Sequence, residues 1–163
     1  MDQNGKGHGQ PVVVIVDDEE MVITSVRAFL SLETEYDIHG FTDPEEAVRF
    51  LETSPADVIV SDYLMPKMNG IQLLGKAKQL QPEAARVLLT GHADKQSAIQ
   101  AINEVGLFQY LEKPWDNSQL LLVIQNAIER TQLFRSLREK ITELDAAHGS
   151  LKDVQSRLLR AFL

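Results

Sequence analysis

Five polar residues in this chain have types and positions that suit phosphoryl chemistry. Asp17 and Asp18 follow the apolar run VVVIV, Asp62 ends VIVSD, Thr90 ends RVLLT, and Lys113 follows FQYLE. Three carboxylates gathered in one place resist ionising together unless a cation neutralises them. Mg²⁺ is the natural choice, being hard and content with a few carboxylates plus water and phosphate oxygens. Mn²⁺ accepts the same oxygen donors. A carboxylate such as Asp62 can act as a nucleophile. Lys113 could pair with it and then with a phosphoryl oxygen, while Thr90 donates to another. Phosphoryl transfer asks mainly for such positioning and charge neutralisation. Singly, each residue has an ordinary explanation. Asp17 and Asp18 suit a helix start, Asp62 and Thr90 suit turns, and Lys113 suits a surface. Their joint placement at four strand ends is harder to obtain by capping alone.

The elements that must position them alternate. Val12 to Val16 is a short β-branched run of the kind buried on both faces of a parallel sheet. Met21, Val22, Val26, Phe29 and Leu30 follow at helical spacing, behind acids that suit a helix N-terminus. Tyr36 to Phe41 is a weaker strand. Thr42-Asp43-Pro44 then reads as an N-cap with proline in the first turn, before a helix carrying Ala47, Val48, Phe50 and Leu51. Asp57 to Val60 is a strand ending near Asp62. Gly70 to Leu80 is helical, Arg86 to Thr90 a strand, Lys95 to Glu104 a helix, Phe108 to Leu111 a strand, and Ser118 onward a helix. Five β-α units argue for an α/β domain with a parallel five-stranded sheet and helices on both faces. Loops at the carboxyl ends of such strands converge where ligands bind.

The 163 residues are 44% hydrophobic, enough for one ordinary core. The formal net charge is −8 and is unevenly spread. Residues 131–163 carry six Lys/Arg against four Asp/Glu, net +2, so the first 130 carry ten against twenty, net −10. An acidic body repels phosphate backbones, which argues against direct nucleic-acid contact. The absence of cysteine excludes disulfides, thiolate metal sites and cysteine nucleophiles. Residues 1–11 are polar and Gly-rich, with no signal-peptide core, and read as a flexible leader. No apolar run is long enough to span a bilayer. A cytoplasmic protein is the expectation.

Residues 12–130 form the expected domain, and 131–163 a helical extension. From Phe134 the apolar steps alternate three and four through Leu137, Ile141, Leu144, His148, Leu151, Gln155, Leu158 and Phe162. That is heptad spacing, with polar slots at His148 and Gln155. Gly149 would weaken the helix by about 1 kcal/mol relative to Ala. Two arrangements suit the pattern: a helix folded back on the domain, or a coiled-coil linker with Leu137, Ile141, Leu144 and Leu151 in a dimer seam. The second is the expectation.

VVIVDDEE, VIVSDYLMPKMNG, VLLTGHAD and YLEKPW together resemble the response-regulator receiver domain of two-component signalling, from about Pro11 to Arg130. The resemblance implies a doubly wound (βα)5 fold with flavodoxin-like strand order 2-1-3-4-5. It implies that Asp62 is the phosphoacceptor. Asp17, Asp18, Asp62 and the backbone carbonyl of Leu64 would hold Mg²⁺. Thr90 would be the switch hydroxyl, Lys113 the phosphate-pairing lysine, Tyr110 the switch aromatic, and Lys113-Pro114 a cis bond. Leu64 and His92 would border the site, and Trp115 replaces the more usual Phe.

The resemblance further implies a sensor histidine kinase as phosphoryl donor and no separate substrate turnover. It implies a switch across the face made by the fourth helix, fifth strand and fifth helix, which with the C-terminal helix would also serve homodimers. TGHAD, AIN and EKPW resemble receivers of regulators with large output domains. No output motif is present. The chain stops at Arg160-Ala-Phe-Leu163 without a helix-stop signal, so a longer regulator cut within its linker is expected. The alternative is a stand-alone receiver acting through its helical tail. A haloacid-dehalogenase-type hydrolase would need an acid two residues after Asp62, where Leu64 stands. A pseudo-receiver that works without phosphorylation would not need all five polar residues.

Overall fold

A computed structural model describes residues 9–148 and 152–162, except the side chains of His92, 147–148 and 152–154. Five parallel strands, β1 (Val12–Val16), β2 (Asp37–Phe41), β3 (Val58–Asp62), β4 (Ala85–Thr90) and β5 (Gln109–Glu112), lie in the order β2-β1-β3-β4-β5. They alternate with α1 (Glu20–Glu33), α2 (Pro44–Thr53), α3 (Gly70–Leu80), α4 (Lys95–Val105) and α5 (Asn117–His148). A last helix, α6, covers Lys152–Phe162. This is the flavodoxin-like (βα)5 architecture, with a helical extension.

The pleat explains the two cores. Val13 and Ile15 of β1, Val58 and Val60 of β3, and Val87 and Leu89 of β4 face α1 and α5, where Ile23, Leu30, Leu120 and Ile124 meet them. Val14, Val16, Ile59 and Leu88 point the other way, onto Ala47 and Leu51 of α2, Leu73 and Ala77 of α3, and Ala98 and Ala101 of α4. Because successive side chains alternate faces, a strand buried on both sides must be apolar throughout. The central strands meet that demand.

Local signals set the element ends. Asp43 caps α2 by accepting the Glu45 N–H at 3.0 Å, with Pro44 in the first turn. Asn69 and Gln72 form a capping box on α3. Gly106 ends α4 in the left-handed region, φ 61°, where a side chain would be strained. Met21 is 84% exposed and does not join the core, although it lies at helical spacing with residues that do. A short 3₁₀ turn, His92–Asp94, precedes α4.

The extension differs from one continuous helix. α5 runs 32 residues, about 48 Å, well past the sheet. α6 then folds back along it: Phe162 meets Phe134 with ring centroids 5.1 Å apart, and Gln155 reaches Thr142 at 3.5 Å. Each contact pairs an early residue with a late one, so the helices run antiparallel. Ile141 is buried, while Leu137 and Leu144 are 37% and 50% exposed. Leu151 lies outside the described residues.

At the amino ends of the strands, α5 is locked to the sheet. The Thr131 hydroxyl donates to the Asp57 carbonyl at 2.8 Å and accepts the Ala85 N–H at 3.2 Å. Arg135 pairs with Asp57 at 2.6 Å and donates to the Ala56 carbonyl at 2.8 Å. Arg138 pairs with Glu83 at 2.5 Å. Thr131, Arg135 and Arg138 fall on one helix face by their spacing of four and three.

Candidate functional site

In this strand order the connection after β1 runs to one side, to β2, and the connection after β3 runs to the other, to β4. The crevice beyond their carboxyl ends is the switch point where such sheets bind ligands. Asp17 follows β1 there, and its N–H donates to the Phe41 carbonyl at 3.1 Å. Asp62 is the last residue of β3, Thr90 the last of β4, and Lys113 follows β5. The Tyr63 N–H to Leu89 carbonyl bond, 2.9 Å, and the Lys113 N–H to Thr90 carbonyl bond, 2.7 Å, carry the ladder to these ends.

The side chains converge. Lys113 Nζ donates to Asp62 Oδ1 at 2.9 Å and lies 3.7 Å from Asp17 Oδ2. Asp62 Oδ1 also accepts the Tyr63 N–H at 3.0 Å. Asp17, Asp18 and Asp62 each offer a carboxylate oxygen, and those oxygens lie within 4.8 Å of one another. Asp17 is fully buried and Asp18 exposed. Asp17 Oδ1 accepts the Glu19 N–H at 2.9 Å, but its Oδ2 is buried without a hydrogen-bond partner. A buried carboxylate oxygen left so is costly unless a cation meets it.

Electrostatics agree with the geometry. Burial pushes the Asp17 carboxyl up from 3.8 to about 6, with the neighbouring Asp62 and Asp18 charges adding to it against the Glu19 N–H and Lys113. Burial works against the Lys113 ammonium too, but the Asp62 hydrogen bond and the charges of Asp62, Asp17 and Glu19 outweigh it. Its pKa therefore lies above the ordinary lysine value.

The other sequence candidates lie around this cluster. Thr90 is 1% exposed, its hydroxyl 3.5 Å from the Leu111 carbonyl, a weak bond readily exchanged. Tyr110 is half-buried on β5 against the apolar layer under α3 and α4. Leu64 is 62% exposed beside Asp62. The Lys113-Pro114 peptide is cis. The Trp115 ring centroid lies 6.0 Å from Lys113 Nζ. The side chain of His92 lies outside the described residues.

Gly70 was not singled out by the sequence, yet the site depends on it. Its N–H donates to the Tyr63 carbonyl at 2.8 Å. A Cβ there would sit 2.2 Å from the Asp62 carbonyl oxygen and 2.8 Å from Leu88 Cδ1. Only glycine lets α3 start this close to the end of β3. The Asn69-Gly70 pair suits a turn but gives no sign of this contact. Arg86 was also missed. It is 1% exposed in β4, with four hydrogen bonds to the carbonyls of Pro82, Ala84, Val105 and Gly106. Burial lowers its pKa to about 10, helped by the nearby Arg130 charge. A lone arginine in a strand sequence gives no sign of carbonyls brought in from the α3–β4 loop and the end of α4.

Comparison with known proteins places the chain in a family. The hydrogenase transcriptional regulatory protein HoxA of Cupriavidus necator is 29% identical over 150 residues, 92% of this chain and 31% of that protein. The C4-dicarboxylate transport transcriptional regulatory protein DctD of Rhizobium meliloti is 31% identical over 141 residues, 86% of this chain and 30% of that protein. The chain thus spans less than a third of these curated relatives. The signal receiver domain of an HD domain-containing protein from Pseudomonas fluorescens Pf-5 superposes with a TM-score of 0.71 at 33% identity, covering 76% of this chain and 98% of that one. The family model of the response regulator receiver domain matches residues 13–125, and with four strand ends delivering an acid cluster, a hydroxyl and a lysine to one crevice, the chain belongs to the response regulator receiver domain family.

Proposed function

We propose that this protein is a phosphorylation-dependent switch that accepts a phosphoryl group on Asp62 from a sensor histidine kinase. The observation that carries the reading is the convergence of Lys113 on Asp62 at 2.9 Å, beside Asp17 Oδ2, which has no hydrogen-bond partner. The oxygen-only donor set and that orphaned atom fit a hard divalent cation. Asp17, Asp18, Asp62 and the Leu64 carbonyl would hold Mg²⁺, and Mn²⁺ suits the same oxygens. When bound, the cation neutralises the acid cluster and the phosphoryl oxygens.

A carboxylate oxygen of Asp62 attacks phosphorus in line. The P–N bond of the donor phosphohistidine breaks, and its electron pair returns to the imidazole. Asp62 then carries a mixed anhydride, with Lys113 against a phosphoryl oxygen. Thr90 gives up its weak bond and donates to a second oxygen, and Tyr110 follows into the space vacated beside it. This moves the α4-β5-α5 face, a small two-state shift biased by local charge. That face serves homodimers and downstream partners, and residues 131–163 lead to an output domain or partner protein. The domain turns over no separate substrate.

Acetyl phosphate with Mg²⁺ tests the reading. The wild-type chain should take up an acid-stable, base-labile phosphoryl label, detected as a mass increase, and chelation should abolish it. Asp62→Asn should take up none. Labelling of Asp62→Asn at the wild-type rate would remove the assignment.

A further inference from the structure

The helical hairpin leaves a sequence pattern unused. Leu137, Leu144, Leu151 and Leu158 are spaced seven apart, an unbroken leucine row that crosses from α5 into α6. The alternate row is Phe134, Ile141, His148, Gln155 and Phe162, also seven apart. Two separate helices packed antiparallel do not need one heptad phase across their junction. A straight α-helix drifts about 20° per heptad from a 3.5-residue repeat, so a strict repeat over four heptads is what a supercoiled seam requires. The hairpin buries Phe134 and Ile141, yet it leaves Leu137 and Leu144 37% and 50% exposed and Phe162 49% exposed. It therefore buries Phe134 and Ile141 of one row and leaves Leu137 and Leu144 of the other only partly covered.

We propose that the hairpin is one of two mutually exclusive pairings of this extension, the other being with a second copy of the chain. In that state α6 leaves α5, and both rows close against the same rows of a parallel copy. Leucine in one row with Ile141 in the other suits two strands, and polar His148 and Gln155 in that other row set register. Lys140 and Asp145, five apart at the positions flanking the seam, place opposite charges across parallel copies. α6 competes for the same surface: Phe134 and Ile141 cannot face Phe162, Leu158 and Gln155 of their own chain and a partner helix together. Arg130 favours the hairpin. It is held between the Phe108 and Phe134 rings, 5.3 and 5.2 Å from their centroids, and donates to the Phe162 carbonyl near the end of α6. A cation there also complements the helix C-terminus.

Cysteine crosslinking in the full chain tests this, because the natural sequence has no cysteine and any disulfide from one substitution joins two copies. Leu144→Cys should form a covalent dimer under mild oxidation at least tenfold faster than Glu139→Cys, which lies on the outer face of the seam. Sedimentation should show a concentration-dependent dimer that Leu144→Asp abolishes and Arg130→Ala strengthens several-fold. A chain monomeric at every concentration, or equal crosslinking at the two sites, overturns the second pairing. A dimer weakened or unchanged by Arg130→Ala overturns the competition.

Discussion

At the scale of single residues, the acid cluster sets the behaviour of the site. Asp17 binds its proton more tightly in the folded chain, at about 6 against 3.8. Between those values the folded state holds a proton that the unfolded state has released. The cation-free protein therefore gains stability from Asp17 as pH falls from about 6 toward 4, and loses it as pH rises through about 6. Urea melts in chelator should show this component, and Asp17→Asn should remove it. A cation needs the deprotonated form, so apparent Mg²⁺ affinity should fall by about tenfold per pH unit below about 6. Titrations read by the single tryptophan, Trp115, check it. Gly70→Ala should cost about 1–3 kcal/mol, because a methyl group at 2.2 Å from a backbone oxygen forces β3 and α3 apart. It should also weaken cation binding, since Asp62 moves with that backbone. A variant as stable as the wild type with unchanged affinity would refute the contact.

At the scale of elements, α5 is fastened at the end of the sheet opposite the site. Asp57 is nearly buried, and Arg135 supplies its charge partner at 2.6 Å. Arg135→Ala should cost about 2 kcal/mol or more, because it leaves that carboxylate without its partner. Arg138→Ala should cost about 1 kcal/mol or less, since that side chain is 41% exposed. Denaturant melts of both variants would rank them, and a reversed order would show that the anchor lies elsewhere. The spacing of Thr131, Arg135 and Arg138 made a shared helix face legible. Their partners, Asp57, Ala85 and Glu83, were not, because residues 46 to 78 positions away meet them only through the fold.

At the scale of the whole molecule, a chain of net charge −8 concentrates three acids at one crevice. A ligand that binds only the folded state stabilises it by mass action. Mg²⁺ should therefore raise the melting temperature progressively with its concentration, the folded state gaining about 2.7 kcal/mol at a hundredfold excess over the dissociation constant. Asp18→Asn should blunt the rise, since it removes one of the three clustered carboxylates. An equal rise in both proteins would place the cation elsewhere. Among the described residues, no helix is long and apolar enough to cross a membrane.

The sequence by itself determined the βα alternation and the five polar residues at strand ends. Both are local: burial on two faces demands unbroken β-branched runs, and the chemistry sits where each run stops. The motif spacing carried the family and its strand order. Three things waited on tertiary structure. Gly70 against the Asp62 carbonyl, Arg86 among four carbonyls, and α6 folded onto α5 each join segments whose sequences say nothing of one another. The heptad rows show the limit best. Periodicity specifies which side of a helix is apolar, but whether that side meets its own chain or another is settled by competing contacts and by concentration, which no repeat encodes.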